Sequence, residues 1–164
     1  MQIYAKTHKG MVRPTNQDSL LVAHNLYGVA DGMGGHRGGE TASRIAVQVV
    51  KNLLQGKTPE ENSLRICMEA ANRRIFDMQR HDLALSGMGT TFTLLWESRT
   101  EIWIAHVGDS RAYLFRDGKL ACQTLSEQYA LSHFRGPSGL SGIMQRKWMY
   151  LKTDIASVFY YINM

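Results

Sequence analysis

Three of the fourteen acidic residues stand where chemistry is most easily built. Asp18 closes the polar run Arg13-Pro14-Thr15-Asn16-Gln17-Asp18, just before the apolar stretch Ser19 to Ala23. Asp31 ends the apolar run Leu26-Tyr27-Gly28-Val29-Ala30 and opens Gly32-Met33-Gly34-Gly35-His36. Asp109 follows a further apolar run, Ile102–Val107, within Gly108-Asp109-Ser110-Arg111. A carboxylate at the buried end of a strand is costly unless something positive pairs with it. Taken singly, each acid could serve as a turn residue or a helix cap. Taken together they are oxygen donors of the kind that Mg²⁺ and Mn²⁺ favour. Gly32, Gly34, Gly35, Gly38 and Gly39, five of the fifteen glycines, let the backbone approach a ligand or turn carbonyls toward a cation.

Other glycine-loop chemistries fail on spacing. A dinucleotide fingerprint counted from Gly32 needs its third glycine where Arg37 stands, and a phosphate-binding P-loop needs Gly-Lys-Ser/Thr where Gly39 precedes Glu40. An esterase elbow fails at Gly136-Pro137-Ser138, which is followed too early by Gly139. A cation held by carboxylates therefore outranks a nucleotide cradle or a serine nucleophile.

Alternating strands and helices must position these acids. Ile3 to Thr7, Ser19 to Ala23 and Leu26 to Ala30 have strand length, and His24-Asn25 is short enough for a hairpin turn. Ala42, Ile45, Val49 and Leu53 recur at helical spacing, with Gly56 placed to end that helix. Thr58-Pro59-Glu60-Glu61 predicts a capped helix start, with Thr58 as N-cap. Leu64, Met68, Ala71, Ile75 and Met78 form the apolar stripe of that second helix, with the methionines as core. Strands are expected again at Thr90–Trp96 and Glu101–Val107. Ala112–Arg116 and Lys119–Gln123 flank Asp117-Gly118, a strong hairpin signal. His106, on one of these strands, reads as a core or sheet residue. The pattern predicts an α+β fold of antiparallel sheets covered by helices.

Composition sets the outer bounds. A chain of 164 residues with 44% hydrophobic and 20% charged content is globular, which excludes a disordered chain, a collagen-like repeat and a membrane bundle. The net charge of +5 is compatible with an anionic partner without identifying one. Scattered basic residues and no aromatic-basic motif argue against nucleic acid. Cys67 and Cys122 lack the spacing of a zinc site or disulfide framework. Neither a signal peptide nor a spanning run is read, so the expected location is cytoplasmic, without membrane partners.

The motifs, taken in order, resemble a known family. Arg13…Asn16-Gln17-Asp18, Ala30-Asp31-Gly32-Met33-Gly34-Gly35-His36, Gly87-Met88-Gly89-Thr90-Thr91 and Ile104-Ala105-His106-Val107-Gly108-Asp109-Ser110-Arg111-Ala112-Tyr113 look like those of the bacterial metal-dependent protein phosphatases, the type-2C or PPM class. The resemblance implies an antiparallel β-sandwich flanked by antiparallel helices, and a Ser/Thr phosphoprotein phosphatase with a binuclear Mn²⁺ or Mg²⁺ centre. By motif match, Asp31 would bridge the metals, the Gly32 carbonyl would be a ligand, and Asp18 would complete the cluster or hold metal-bound water. Asp109 would serve a third, weaker metal. Arg13 would clamp the substrate phosphate. His36 would protonate the leaving seryl oxygen or orient a water, or else stand solvated. Phosphorylated proteins would be the substrates, with a bacterial Ser/Thr kinase as functional counterpart.

The resemblance runs over residues 1–134 and then fades. The family's second half supplies two further aspartates, in an Asp-Gly and an Asp-Asn motif. Beyond Glu127 the only acid here is Asp154, followed by Ile155, which fits neither. Residues 135–164 read as a divergent tail of uncertain fold, and Met144–Met164 has eight Met, Trp, Tyr or Phe residues without a clean period. The sequence thus predicts an incomplete, C-terminally truncated or frameshifted phosphatase domain with turnover reduced or lost. A non-catalytic phosphoprotein-binding module is the alternative.

Overall fold

The computed structural model describes residues 2–35, 37–99, 101–116, 119–123, 130–135, 147–152 and 159–163. Every ladder among them is antiparallel. Two sheets form, with two long helices, and the architecture is the expected α+β one.

The second sheet carries the site. Its strands β2 (Asp18–Ala23), β3 (Leu26–Met33), β5 (Phe92–Glu97), β6 (Glu101–Val107) and β9 (Ala130–Arg135) pair in that order, and the short β4 (Gly89–Thr90) pairs β3. β2 and β3 form the predicted hairpin around His24-Asn25, with His24 left-handed at φ 39. β3 continues three residues past its apolar run, because β4 offers partners to Gly32 and Met33. Leu26 to Gly32 are all buried, which explains the near-continuous apolar run.

The first sheet has the order β1-β11-β10-β7-β8, formed by Gln2–Lys6, Phe159–Asn163, Lys147–Lys152, Arg111–Arg116 and Lys119–Gln123. Arg116 pairs with Lys119, while the Asp117-Gly118 turn lies outside the described residues. Both described segments beyond residue 135 are strands of this sheet, β10 on β7 and β11 on β1. β10 also comes against β3, bringing the two sheets together.

Helix α1 (Gly38–Leu54) lies on β2, β3 and β4, and helix α2 (Glu61–His81) packs on α1 and touches β6. Six residues connect them, as suits antiparallel neighbours. Gly56 (φ 79) follows the end of α1 as predicted. The deepest stripe of α1 is Ala42, Ala46, Val50 and Leu54, while Ile45, Val49 and Leu53 pack at its margin. The helix is thus turned about one residue from the predicted phase, since Gly38 and Gly39 press their own face onto the site.

The start of α2 also differs from expectation. Glu60, not Thr58, occupies the N-cap, in extended conformation. The first helical bond runs from the Leu64 N–H to the Glu60 carbonyl, 3.2 Å, and the Ser63 hydroxyl donates to the Glu60 carboxylate at 2.6 Å. Burial of Leu64, the first core residue of the stripe, outweighs the local capping signal upstream.

The core lies between the helices and the second sheet, around Leu64, Met68, Ile75, Phe92, Leu94 and Trp96. Burying each such side chain contributes about 1.5–3 kcal/mol. His106 is a core residue as expected, its Nδ1 bonded to the Thr93 hydroxyl at 2.9 Å. Among the described residues no helix is long and apolar enough to cross a membrane.

Candidate metal centre

The β2–β3 hairpin brings the first two candidate acids together. Asp18 and Asp31 are direct register partners, and opposed residues in a ladder project to the same face. Asp31 is buried and Asp18 half-buried. Burial, and then the charge of Asp31, push the Asp18 carboxyl up to about 7, while the Thr7 hydroxyl and the Arg13 guanidinium act in the opposite sense.

Around this pair the backbone is pinned from three directions. From the end of β1, the Thr7 hydroxyl donates to Asp18 Oδ2 at 3.2 Å and accepts from Asn16 Nδ2 at 2.9 Å. Asn16 Oδ1 in turn accepts from the Asp18 N–H at 3.1 Å. From β4 and the residue after it, the Thr90 hydroxyl and the Thr91 N–H donate to the Asp31 carbonyl at 3.0 and 2.9 Å. The Asp31 N–H donates to the Thr91 hydroxyl at 3.1 Å. From α1, Ser43 donates to the Gln17 carbonyl at 2.7 Å.

The glycines permit the close approach. A Cβ on Gly32 would stand 2.0 Å from the Gly39 carbonyl oxygen and 2.6 Å from that of Gln17, so the start of α1 rests on bare backbone. Gly34, at φ 125, then turns the chain in a conformation that suits only glycine. Gln17 Nε2 bonds the Gly34 carbonyl at 3.4 Å. Beside this loop opens a cleft of ≈ 520 Å³, lined by Arg13, Pro14, Thr15, Gln17, Met33 and Gly34.

Asp109 is exposed, in the turn after β6 that Gly108 forms at φ 101. Arg111 folds back to donate to the carbonyls of Asp109 and Ser110. Buried Ser110 shares a 2.7 Å hydrogen bond with the Thr91 hydroxyl. Ser110 and Arg111 are thus structural companions of the turn, and through Thr91 this motif braces Asp31. His36 lies outside the described residues.

The donor set suits a hard divalent cation. Two carboxylates share one half-buried face, ionisation of Asp18 is pushed up to about 7 by burial and by its neighbour, and added positive charge relieves both effects. The set is also small: among the described residues no three of His, Cys, Asp or Glu gather into a metal-binding group. Sequence reasoning assigned no role to Thr7, Thr90 or Thr91. Thr7 gives no local signal, being eleven residues from the acid that it serves. The pairing of Asp18 with Asp31, by contrast, follows from a two-residue turn at His24-Asn25.

Comparison with known proteins identifies the family. The protein phosphatase 2C family profile matches residues 9–133. The chain is 34% identical over 127 residues to the serine/threonine protein phosphatase PstP of Mycobacterium tuberculosis, covering 76% of this chain and 25% of that protein. It is 34% identical over 139 residues to a serine/threonine phosphatase of Listeria monocytogenes, covering 78% and 54%. The chain therefore spans about half the length of the Listeria phosphatase and a quarter of the mycobacterial one. The crystal structure of the mycobacterial phosphatase matches with a TM-score of 0.71 at 34% identity, over 77% of this chain and 54% of that one. The catalytic domain of that protein has also been crystallised with two manganese ions. A variant bacterial serine phosphatase matches with a TM-score of 0.78 at 25% identity, over 94% and 76%. With the ordered motifs and the opposed aspartates already in place, the chain belongs to the protein phosphatase 2C family.

Proposed function

We propose that this chain forms the Asp18–Asp31 side of a Mn²⁺- or Mg²⁺-dependent protein serine/threonine phosphatase centre. The observation that carries the reading is the opposition of Asp18 and Asp31 beside the cleft that Arg13 lines. Asp31, Asp18 and the Gly32 carbonyl would hold the cation, and Asp109 a further, weaker one. When bound, divalent cations supply Lewis acidity, activating a water and offsetting phosphate charge. The guanidinium of Arg13 grips the phosphate of the substrate by its planar fork and orients it. Thr90 and Thr91 hold the Asp31 backbone still, so its carboxylate is placed before a ligand arrives. His36, by motif, protonates the leaving seryl or threonyl oxygen.

The substrates are proteins phosphorylated on serine or threonine, with a bacterial Ser/Thr kinase as counterpart. Neither nucleic acid nor a membrane is a partner in this reading, and the location is cytoplasmic. Residues 1–134 are the portion akin to the family, a division of kinship that leaves β10 and β11 in the shared first sheet.

With only two carboxylates gathered among the described residues, turnover is expected to be slow or lost. That observation also favours a second reading, a non-catalytic module that holds phosphoproteins through Arg13. Hydrolysis of p-nitrophenyl phosphate by the purified chain tests both. Slow hydrolysis that needs Mn²⁺ and disappears in Asp31→Asn supports the enzyme. Phosphopeptide binding that persists in EDTA without hydrolysis supports the module. Hydrolysis indifferent to EDTA and to Asp31→Asn would contradict both.

A further inference from the structure

One side chain breaks the pattern of the strand that carries Asp31. Along β3 every residue from Leu26 to Gly32 is buried, yet Met33 is 62% exposed. A long apolar side chain left in water at a candidate site needs a reason. Its surroundings supply one. Met33 lines the same cleft as Arg13, together with Pro14, Thr15, Gln17 and Gly34. Its position is also seated: a Cβ on Gly89 would lie 2.7 Å from Met33 Cε and 3.5 Å from Cγ, so the thioether rests over bare backbone of β4.

The charge on the cleft wall itself is that of Arg13, and the Asp18–Asp31 pair lies beside it. Among the described lining residues, Arg13 is the one that carries a charge. The chain from residue 1 to 17 contributes Lys6, Lys9 and Arg13, with His8, and has no Asp or Glu. Immediately before Arg13, Met11 and Val12 are 99% and 95% exposed. An occupant that complements this surface is anionic at one point and apolar beside it. Methionine is flexible and polarisable, so such a surface accepts apolar side chains of differing shape.

We propose that Met33 is a specificity-determining residue, an apolar shelf beside the phosphate grip of Arg13 that selects phosphopeptides with an apolar side chain next to the phosphorylated serine or threonine. The inference rests on the reading of Arg13 as the phosphate-binding residue. A basic neighbour is disfavoured, since its charge meets an apolar shelf next to the Arg13 guanidinium.

Fluorescence anisotropy with the full chain tests this, using phosphoserine peptides that differ only in the neighbouring residue, Leu, Gly or Lys. The Leu peptide is expected to bind about five- to tenfold more tightly than the Gly peptide, and the Lys peptide most weakly. Met33→Ala collapses the Leu-to-Gly ratio toward one, whereas Met33→Leu retains it. Arg13→Ala weakens all three peptides while keeping their order. Equal binding of the Leu and Gly peptides by the native chain, or an unchanged ratio in Met33→Ala, would overturn the inference and leave the phosphate site standing. Binding that ignores both the phosphate and Arg13→Ala would sink the phosphate-site reading and this one with it.

Discussion

Asp18 and Asp31 face each other as direct partners across the β2–β3 ladder, two carboxylates on one face of one hairpin. Directly opposed like charges destabilise a sheet. The arrangement therefore stores a demand for positive charge at one point in the fold, and several consequences can be measured.

The metal-free protein should lose stability as the pH rises. Burial and Asp31 hold the Asp18 carboxyl at about 7 against an ordinary 3.8, so the folded state binds that proton more tightly than the unfolded chain. The proton is favourable to folding below the ordinary value, and its contribution disappears as pH climbs through about 7. With partial solvent exposure, we expect a fall of order 1–2 kcal/mol. Urea denaturation in EDTA at pH 5 and pH 8 reads it, and Asp18→Asn should flatten the difference. Mn²⁺ affinity should move the other way, tightening as pH rises through the same window.

Thr7 should matter to a residue that is distant in sequence. Its hydroxyl bonds Asp18 Oδ2 and accepts from Asn16 Nδ2. Thr7→Val removes both contacts, favours the protonated carboxyl and should weaken Mn²⁺ binding by roughly five- to tenfold, about 1–1.4 kcal/mol. Thr7→Ser keeps the hydroxyl and should restore most of the loss. Calorimetric Mn²⁺ titration distinguishes this from an indifferent Thr7, for which both variants would bind as the native chain does.

Two glycines three positions apart should differ sharply in tolerance. Gly32→Ala would put a Cβ 2.0 Å from the Gly39 carbonyl oxygen, forcing α1 off the hairpin at a cost of about 3 kcal/mol or more. Gly35→Ala meets nothing within 4 Å and should change stability by less than about 0.5 kcal/mol. Thermal or urea unfolding of the two variants checks the contrast.

Cys67 should be inert in the folded protein. It is fully buried on α2, its thiol donates to the Leu64 carbonyl at 3.1 Å, and burial pushes it up to about 12. At pH 8 a thiol reagent should leave the Cys67 peptide unlabelled until denaturant is added, as peptide mapping by mass spectrometry would show. Prompt labelling of the native chain would contradict this burial.

Much of this was legible because it is local. The run Leu26 to Ala30 and the turn at His24-Asn25 predict a hairpin, and the structure has it. The stripe Leu64, Met68, Ala71, Ile75 and Met78 predicts the buried face of α2; the first four are buried and Met78 is partly so. The errors came where local signals compete with packing. Thr58 had the better cap chemistry, but the helix begins from Glu60, in phase with Leu64. In α1 the apolar residues alone suggested a stripe through Ile45 and Val49. Contact of Gly39 with Gly32 turns the helix toward Ala46 and Val50 instead.

The sequence by itself determined which acids would meet. A two-residue turn pairs Ala23 with Leu26, and the strict alternation of a ladder then carries Asp18 to Asp31. It also determined the oxygen-donor chemistry, since residue types do not depend on folding. Only the tertiary structure decided how that chemistry is held. Thr7, Thr91 and Ser110 come from different elements, and their hydroxyls converge on the aspartates or on each other through non-local contacts. Burial of the pair, the upward shift of Asp18 and the exposure of Met33 beside Arg13 arise the same way. Each depends on which surfaces exclude water from one another, and no linear spacing of residues encodes that directly.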